Sequence, residues 1–164
     1  MAEAQRTISS PVGNLVLTAS ETGLTGVYFS PHPLSPSPVV SSPPTQEVLD
    51  WTEEQLKEYF AGMRTTFDLP LEPSGTAFQL NVWQLLRTIP YGVTTSYGEL
   101  ARRLGEPKAS RAVGAANGAN PIPIIVPCHR VVGSRGELTG FGGGIERKRW
   151  LLEHEGALIP LGGR

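Results

Sequence analysis

The sequence has one cysteine, Cys128, in 164 residues. A single thiol excludes an internal disulfide framework and any zinc site built from several cysteines. Long apolar runs are also missing, and none approaches the ~20 residues of a membrane span. The start, Met1-Ala2-Glu3-Ala4-Gln5-Arg6, lacks the basic-then-apolar build of a signal peptide. A cytoplasmic protein with no membrane partner is the expectation. Glycine and proline are plentiful instead, at 19 and 15 residues, so the chain is rich in loops. Its 39% hydrophobic content still supports a core, and its length suits one domain or two small ones.

The net charge of −1 conceals an asymmetry. Residues 1–75 carry three basic groups (Arg6, Lys57, Arg64) against nine acidic ones, and residues 76–164 carry eleven against six. The split marks two parts, the second of which suits a polyanion. Two unrelated solvated surfaces would give the same arithmetic.

Extended segments are expected from residue 7 to 10, at 15–19 and at 24–29, with turns at 11–14 and 21–23, which together make an antiparallel meander. Residues 31–44 hold six prolines interleaved with serine and predict an exposed loop. Thr45 can cap a helix reaching about residue 61, with Gly62 as its stop. Residues 67–71 suggest a last strand, and 72–75 a linker. The second half is mainly helical. Phe78, Val82, Trp83, Leu85, Leu86 and Ile89 keep helical spacing. Ser96 and Glu99 form a capping box for a helix at 97–104, and Pro107 can open another to about Gly118. A final helix spans 146–155, with Trp150, Leu151 and Leu152 inward. The fold class is α+β: a small N-terminal α/β domain at 1–73 and a mainly helical domain at 76–164.

The two short helices around Gly105-Glu106 have helix-turn-helix dimensions, and Lys108 and Arg111 are placed on the second. Small residues surround them (Ala109, Ser110, Ala112, Gly114, Ala115, Ala116), which lets a backbone approach another surface closely. Tight helix–helix packing gives the same composition.

Residues 122–127 are apolar and too rich in proline for a helix, and they deliver Cys128, followed by His129 and Arg130. Most free cysteines are simply buried. Here, though, a following His and Arg can depress a thiol pKa, and the prolines stiffen the approach. His129 would act as base, oriented by Glu155, with Asn120 at the other flank. In extended chain the two neighbours point to opposite faces, so Cys128 and His129 need a local turn or an intervening water to cooperate.

Pro127-Cys128-His129-Arg130-Val131-Val132 resembles the signature of the O6-alkylguanine-DNA alkyltransferases. Similar family motifs are Phe78-Gln79 with Val82-Trp83, Ile89-Pro90-Tyr91-Gly92, Tyr97-Gly98-Glu99-Leu100-Ala101, Arg111-Ala112-Val113-Gly114, Asn120-Pro121, Gly142-Gly143-Gly144 and Trp150-Leu151-Leu152 with His154-Glu155-Gly156. The resemblance is dense over 76–156. Residues 1–75 match only in layout, as a ribonuclease-H-like α/β domain.

The resemblance implies a single-turnover DNA repair enzyme. An alkyl group leaves O6 of guanine in duplex DNA, with O4 of thymine as a second target, and ends irreversibly on Cys128. His129, through a water and oriented by Glu155, makes the thiolate, and Asn120 supports the turn. Tyr97 helps rotate the base out and donates a proton towards guanine N3. Arg111 fills the vacated place from a helix in the minor groove, with Lys108, Ala112 and Ser134 also at the DNA. Pro123, Val131, Gly142 and Gly143 form the pocket. The Cys128 and Val131 carbonyls face the guanine amine. No metal or cofactor is expected, and the protein is expected to be a monomer in solution, open to clustering on DNA. Some members carry Ser at the place of Gly142, a larger polar residue at that of Gly98, or N-terminal zinc-binding cysteines absent here.

Two other readings use the same residues. A lesion-sensing DNA binder of the superfamily would lack the acceptor cysteine that this chain has. A cysteine hydrolase or acyltransferase would use Cys128 and His129, but leaves Arg111 and the helix pair unexplained.

Overall fold

The computed structural model describes residues 3–31 and 41–158. The chain divides into two compact units, Met1–Ser74 and Gly75–Arg164.

In the first unit, β1 (Ala4–Ile8), β2 (Leu15–Ala19) and β3 (Leu24–Phe29) form an antiparallel sheet in the order β1-β2-β3. β1 starts and ends earlier than the 7–10 segment expected. Its register pairs Ala4 with Ala19 and Ile8 with Leu15, burying both ends, while Ser10 turns the chain through its hydroxyl to the Val12 amide. The expected strand at 67–71 is a single parallel bridge from Leu71 to Leu24, because Pro70 has no amide donor and the Asp68 amide goes to the Gln55 side chain.

The helix α1 (Pro43–Phe60) begins before Thr45. Ser42 is the cap and Thr45 closes the capping box from inside. Pro43 and Pro44, counted above as loop, occupy the first helical positions, where a missing N–H costs nothing. The rest of that proline-rich loop, 32–40, lies outside the described residues. Thr45, Val48, Leu49, Thr52, Leu56 and Tyr59 make the buried face. Gly62 at φ +76° then turns the chain where an L side chain would be strained.

The second unit holds α2 (Ala77–Leu86), β4 (Thr95–Ser96), α3 (Tyr97–Arg103), α4 (Ser110–Gly118), a 3₁₀ turn at Cys128–Arg130, β5 (Val131–Val132) and α5 (Ile145–His154). Thr76 and Gln79 box the start of α2. The Trp83 indole donates at 2.8 Å to the Ala116 carbonyl, which also accepts from the Ala119 amide, and so ties α2 to the end of α4. At α3 only half of the expected capping box forms. Ser96 accepts from the Glu99 amide, but the Glu99 carboxylate turns to Arg102 and Arg103. α4 starts at Ser110, so Pro107 does not open it, and Lys108 lies in the turn before the helix, not on it. On α5, Trp150 is half-buried and stacks on His154 at 4.8 Å. The inward residues are Lys148, Leu151 and Leu152.

No described helix is long and apolar enough to cross a membrane. Among the described residues no cluster of three or more His, Cys, Asp or Glu is placed to hold a metal.

Candidate active site and nucleic-acid interface

Two short strands set the site. β4 runs directly into Tyr97, the first residue of α3, and β5 follows directly from the turn that carries Cys128. Their parallel pairing, Thr95 with Val131 and Ser96 with Val132, fixes Tyr97 and Cys128 in one frame.

The approach to Cys128 is buried from Ile122 to Val126 without helix or strand. Asn120 clasps it: its side chain accepts from the Ile122 amide at 3.0 Å and donates to the Val126 carbonyl at 2.8 Å. Ile124 sits at φ +74°, a left-handed conformation that strains a β-branched residue, yet its side chain is fully buried. The 3₁₀ turn supplies the local bend that Cys128 and His129 require.

Cys128 is 4% exposed. Burial pushes its thiol up to about 11, while the Asn120 amide and the Lys148 ammonium pull the other way. The following His and Arg therefore do not lower the thiol as the sequence suggested, since their side chains turn to Glu155. The Glu155 carboxylate accepts from His129 Nε2 at 2.8 Å and from Arg130 Nε and Nη2 at 2.8 and 3.0 Å. Arg130 Nη1 donates to the Ile89 carbonyl at 2.6 Å. Burial alone would raise Glu155, but these donors hold its carboxyl well below the usual carboxylate range. Burial keeps His129 neutral by lowering its pKa, against the raising effect of Glu155. A carboxylate only accepts, so Nε2 carries the proton and Nδ1 is a bare lone pair. Nδ1 is buried and has no hydrogen-bond partner among the described residues.

Lys148 was not singled out from the sequence. It is fully buried, and its Nζ donates to the carbonyls of Val131 at 2.6 Å and Thr139 at 2.7 Å. Burial lowers it to about 8, and the nearby Cys128 acts in the opposite sense. A signal was present: 148, 151, 152 and 155 follow the spacing of one helical face. Asn117, also missed, donates to the Cys128 carbonyl at 3.3 Å.

An open cleft of roughly 650 Å³ lies between α3, α4 and the loop after β5, lined by Tyr97, Gly114, Ser134, Thr139 and Phe141 among others. The Tyr97 and Thr139 hydroxyls are 3.0 Å apart. Of the sequence candidates, the structure brings Tyr97 and Ser134 together on this cleft, and Cys128 is not in its lining. Pro123 and Val131 are buried, and Gly142 and Gly143 form the turn after Phe141. A side chain at Gly142 would meet open space, so serine fits there. Arg111 and Ala112 are exposed in the first turn of α4, and Lys108 is exposed just ahead of it. The Cys128 carbonyl accepts from the Asn117 amide and from the Val131 backbone N–H, which uses both of its lone pairs, whereas the Val131 carbonyl accepts from Lys148 and keeps a second lone pair.

Fold and site thus define an α+β protein with a buried cysteine, histidine and glutamate beside an exposed helix pair. Residues 77–157 match the DNA-binding domain of 6-O-methylguanine DNA methyltransferase, and residues 5–73 match its ribonuclease-like domain. The methylated-DNA–protein-cysteine methyltransferase of Mycobacterium tuberculosis is 51% identical over 155 residues, covering 94% of this chain and 93% of that protein. That of Methanosarcina acetivorans is 47% identical over 148 residues, covering 90% and 95%. The crystal structure of Mycobacterium tuberculosis OGT in complex with DNA matches with a TM-score of 0.85 at 49% identity, over 96% of each chain. The chain belongs to the 6-O-methylguanine DNA methyltransferase family.

Proposed function

We propose that this chain repairs duplex DNA by moving an alkyl group from O6 of guanine, and from O4 of thymine, onto Cys128, one group per molecule. The observation that carries this reading is His129, the residue after the sole thiol, whose Nε2 is held by Glu155 and whose buried Nδ1 has no partner among the described residues.

Lys108, Ala112 and Ser134 meet the DNA backbone as α4 enters the minor groove. Tyr97 turns the damaged nucleotide out, and the exposed Arg111 fills its place. Extrusion costs roughly a few kcal/mol, least for a damaged pair. The base is received by Pro123, Val131, Gly142 and Gly143. The free lone pair of the Val131 carbonyl accepts from its exocyclic amine, the Cys128 carbonyl faces that amine, and amides near Gly142 face O6.

His129 Nδ1 takes the thiol proton through a water, and Glu155 stabilises the imidazolium. With the thiol held at about 11, the nucleophile stays protonated until this base acts. The sulfur attacks the alkyl carbon, the carbon–O6 bond breaks, and Tyr97 donates a proton to guanine N3. A thioether has no easy hydrolytic exit, so the molecule is spent after one repair. A single copy without metal or cofactor suffices for every step.

Intact mass after mixing with duplex DNA containing O6-methylguanine tests the reading. A stoichiometric gain of one methyl group is expected, and Cys128→Ala should gain none while still binding DNA. Methyl uptake by that variant would remove Cys128 from the role.

A further inference from the structure

We propose that Thr139 is a positioning residue that holds the Tyr97 phenol as proton donor and steadies it as the proton leaves. This rests on the assignment of Tyr97 above. Tyr97 is half-buried at the cleft, and its hydroxyl meets Thr139 Oγ1 at 3.0 Å. The residue that supplies this partner is itself tied down. Its carbonyl accepts from the buried Lys148 Nζ at 2.7 Å, and the same ammonium donates to Val131 at 2.6 Å, three residues after Cys128. Val131 in turn pairs with Thr95, two residues before Tyr97. A closed ring of contacts runs from the strand beside the nucleophile, through Lys148 and Thr139, to the phenol and back along β4.

The direction of the hydroxyl pair follows from the chemistry. Tyr97 has one proton, and that proton must reach guanine N3. Thr139 must then be the donor to the phenolic oxygen, leaving the tyrosine proton free. As sulfur bonds to the alkyl carbon and the carbon–O6 bond breaks, the electron pair passes to the guanine ring. The Tyr97 proton neutralises it at N3, and the negative charge moves to the phenolic oxygen. A hydroxyl already aimed there needs no reorganisation. The proton that His129 took from Cys128 returns through solvent to Tyr97, so the net result is a thioether and a neutral guanine. Gly114 faces the tyrosine ring, and a Cβ there would make ordinary van der Waals contact with it at 3.7 Å.

The test uses the full chain and a duplex carrying one O6-methylguanine, with single-turnover rates measured across DNA concentration. Thr139→Val keeps the shape and the backbone carbonyl but loses the hydroxyl. It should lower the plateau rate roughly ten-fold, the worth of one hydrogen bond to a developing charge, and leave the half-saturating DNA concentration unchanged. Thr139→Ser should restore most of the rate. In a Tyr97→Phe background, Thr139→Val should cost nothing further. A wild-type plateau rate in Thr139→Val, a Ser variant as slow as the Val variant, or the same loss with and without the Tyr97 hydroxyl would each overturn the proposal. If Tyr97→Phe is slow while Thr139→Val is not, this inference alone falls. If Tyr97→Phe reacts at the wild-type rate, the assignment of Tyr97 falls and takes this one with it. A melting curve for each variant separates loss of the fold from loss of the hydroxyl.

Discussion

The two units handle charge in opposite ways. In Met1–Ser74 the ions meet near the surface: Arg6 with Asp50 and Glu53, Lys57 with Glu53, Arg64 with Glu58. Among the described residues the buried polar side chains there are Thr18, Thr45 and Thr52, the last of which donates its hydroxyl to the Val48 carbonyl of its own helix. In Gly75–Arg164 the buried set is Asn117, His129, Arg130, Lys148 and Glu155. Burying ions is costly unless each finds partners, and a fold built for stability alone has no need of it. The unit that accepts the cost is the one that holds the thiol. Perturbed, desolvated groups gather where protons must move.

The sharpest way to break the comparison is Glu155→Gln. It takes the countercharge from the buried Arg130, leaves one amide oxygen where two carboxylate oxygens served three donors, and removes the orienting charge from His129. A loss of about 3–5 kcal/mol is expected in chemical denaturation, with slow alkyl transfer in whatever remains folded. A loss under 1 kcal/mol would show that the buried network is not structural.

Acid should separate the units next. His129 is kept neutral in the fold, so it contributes stability present above its ordinary pKa of ~6.5 and lost as pH falls below it. Glu155, held low by its donors, contributes stability present above ~4.3 and lost as pH falls further. Amide protection factors, corrected for the intrinsic rate at each pH, should therefore fall in α5 before α1 between pH 7 and 4, since α1 lacks a buried ion. Simultaneous exchange would erase the distinction.

Smaller effects concern the exposed cations of the second unit. Lys108→Ala should weaken DNA binding and reduce the log–log salt slope by about 0.9 for the phosphate it neutralises. Arg111→Ala should slow repair of duplex while sparing reaction with free O6-benzylguanine, where nothing is extruded. Equal losses on both substrates would place Arg111 in pocket architecture. The smallest effect belongs to the first unit. Arg6→Ala should cost less than ~1 kcal/mol, since ion pairs open to solvent are worth little. A larger loss would mean that this surface cluster is structural after all.

Much of this was legible because the chemistry is local in sequence. Cys128 and His129 are neighbours, and Glu155 caps the end of α5 in line with Lys148, Leu151 and Leu152. The N-terminal meander and α1 were readable from turn residues and periodicity. The departures have physical causes. Prolines that suggested loop at 43 and 44 suit the first turn of a helix as well. Arg130 reads as a cation beside a thiol, but its guanidinium fits the planar fork of a carboxylate better and turns to Glu155. Lys148 was passed over because lysine is expected outside, although its spacing with Leu151, Leu152 and Glu155 placed it inside. Thr139 had no periodicity to announce it, since its role depends on a loop meeting a helix start.

Ile124 bears on how the acceptor breathes. A β-branched residue at φ +74° keeps that backbone only while its side chain is locked in the core. Strain of this kind is on the order of 1–3 kcal/mol, and any local opening of 120–127 releases it. The opening free energy of the segment leading to Cys128 is lowered by that amount, so its amides exchange several-fold or more ahead of an unstrained loop of equal burial. The thiol thus hangs from a segment wound like a spring. The Asn120 clasp keeps it shut.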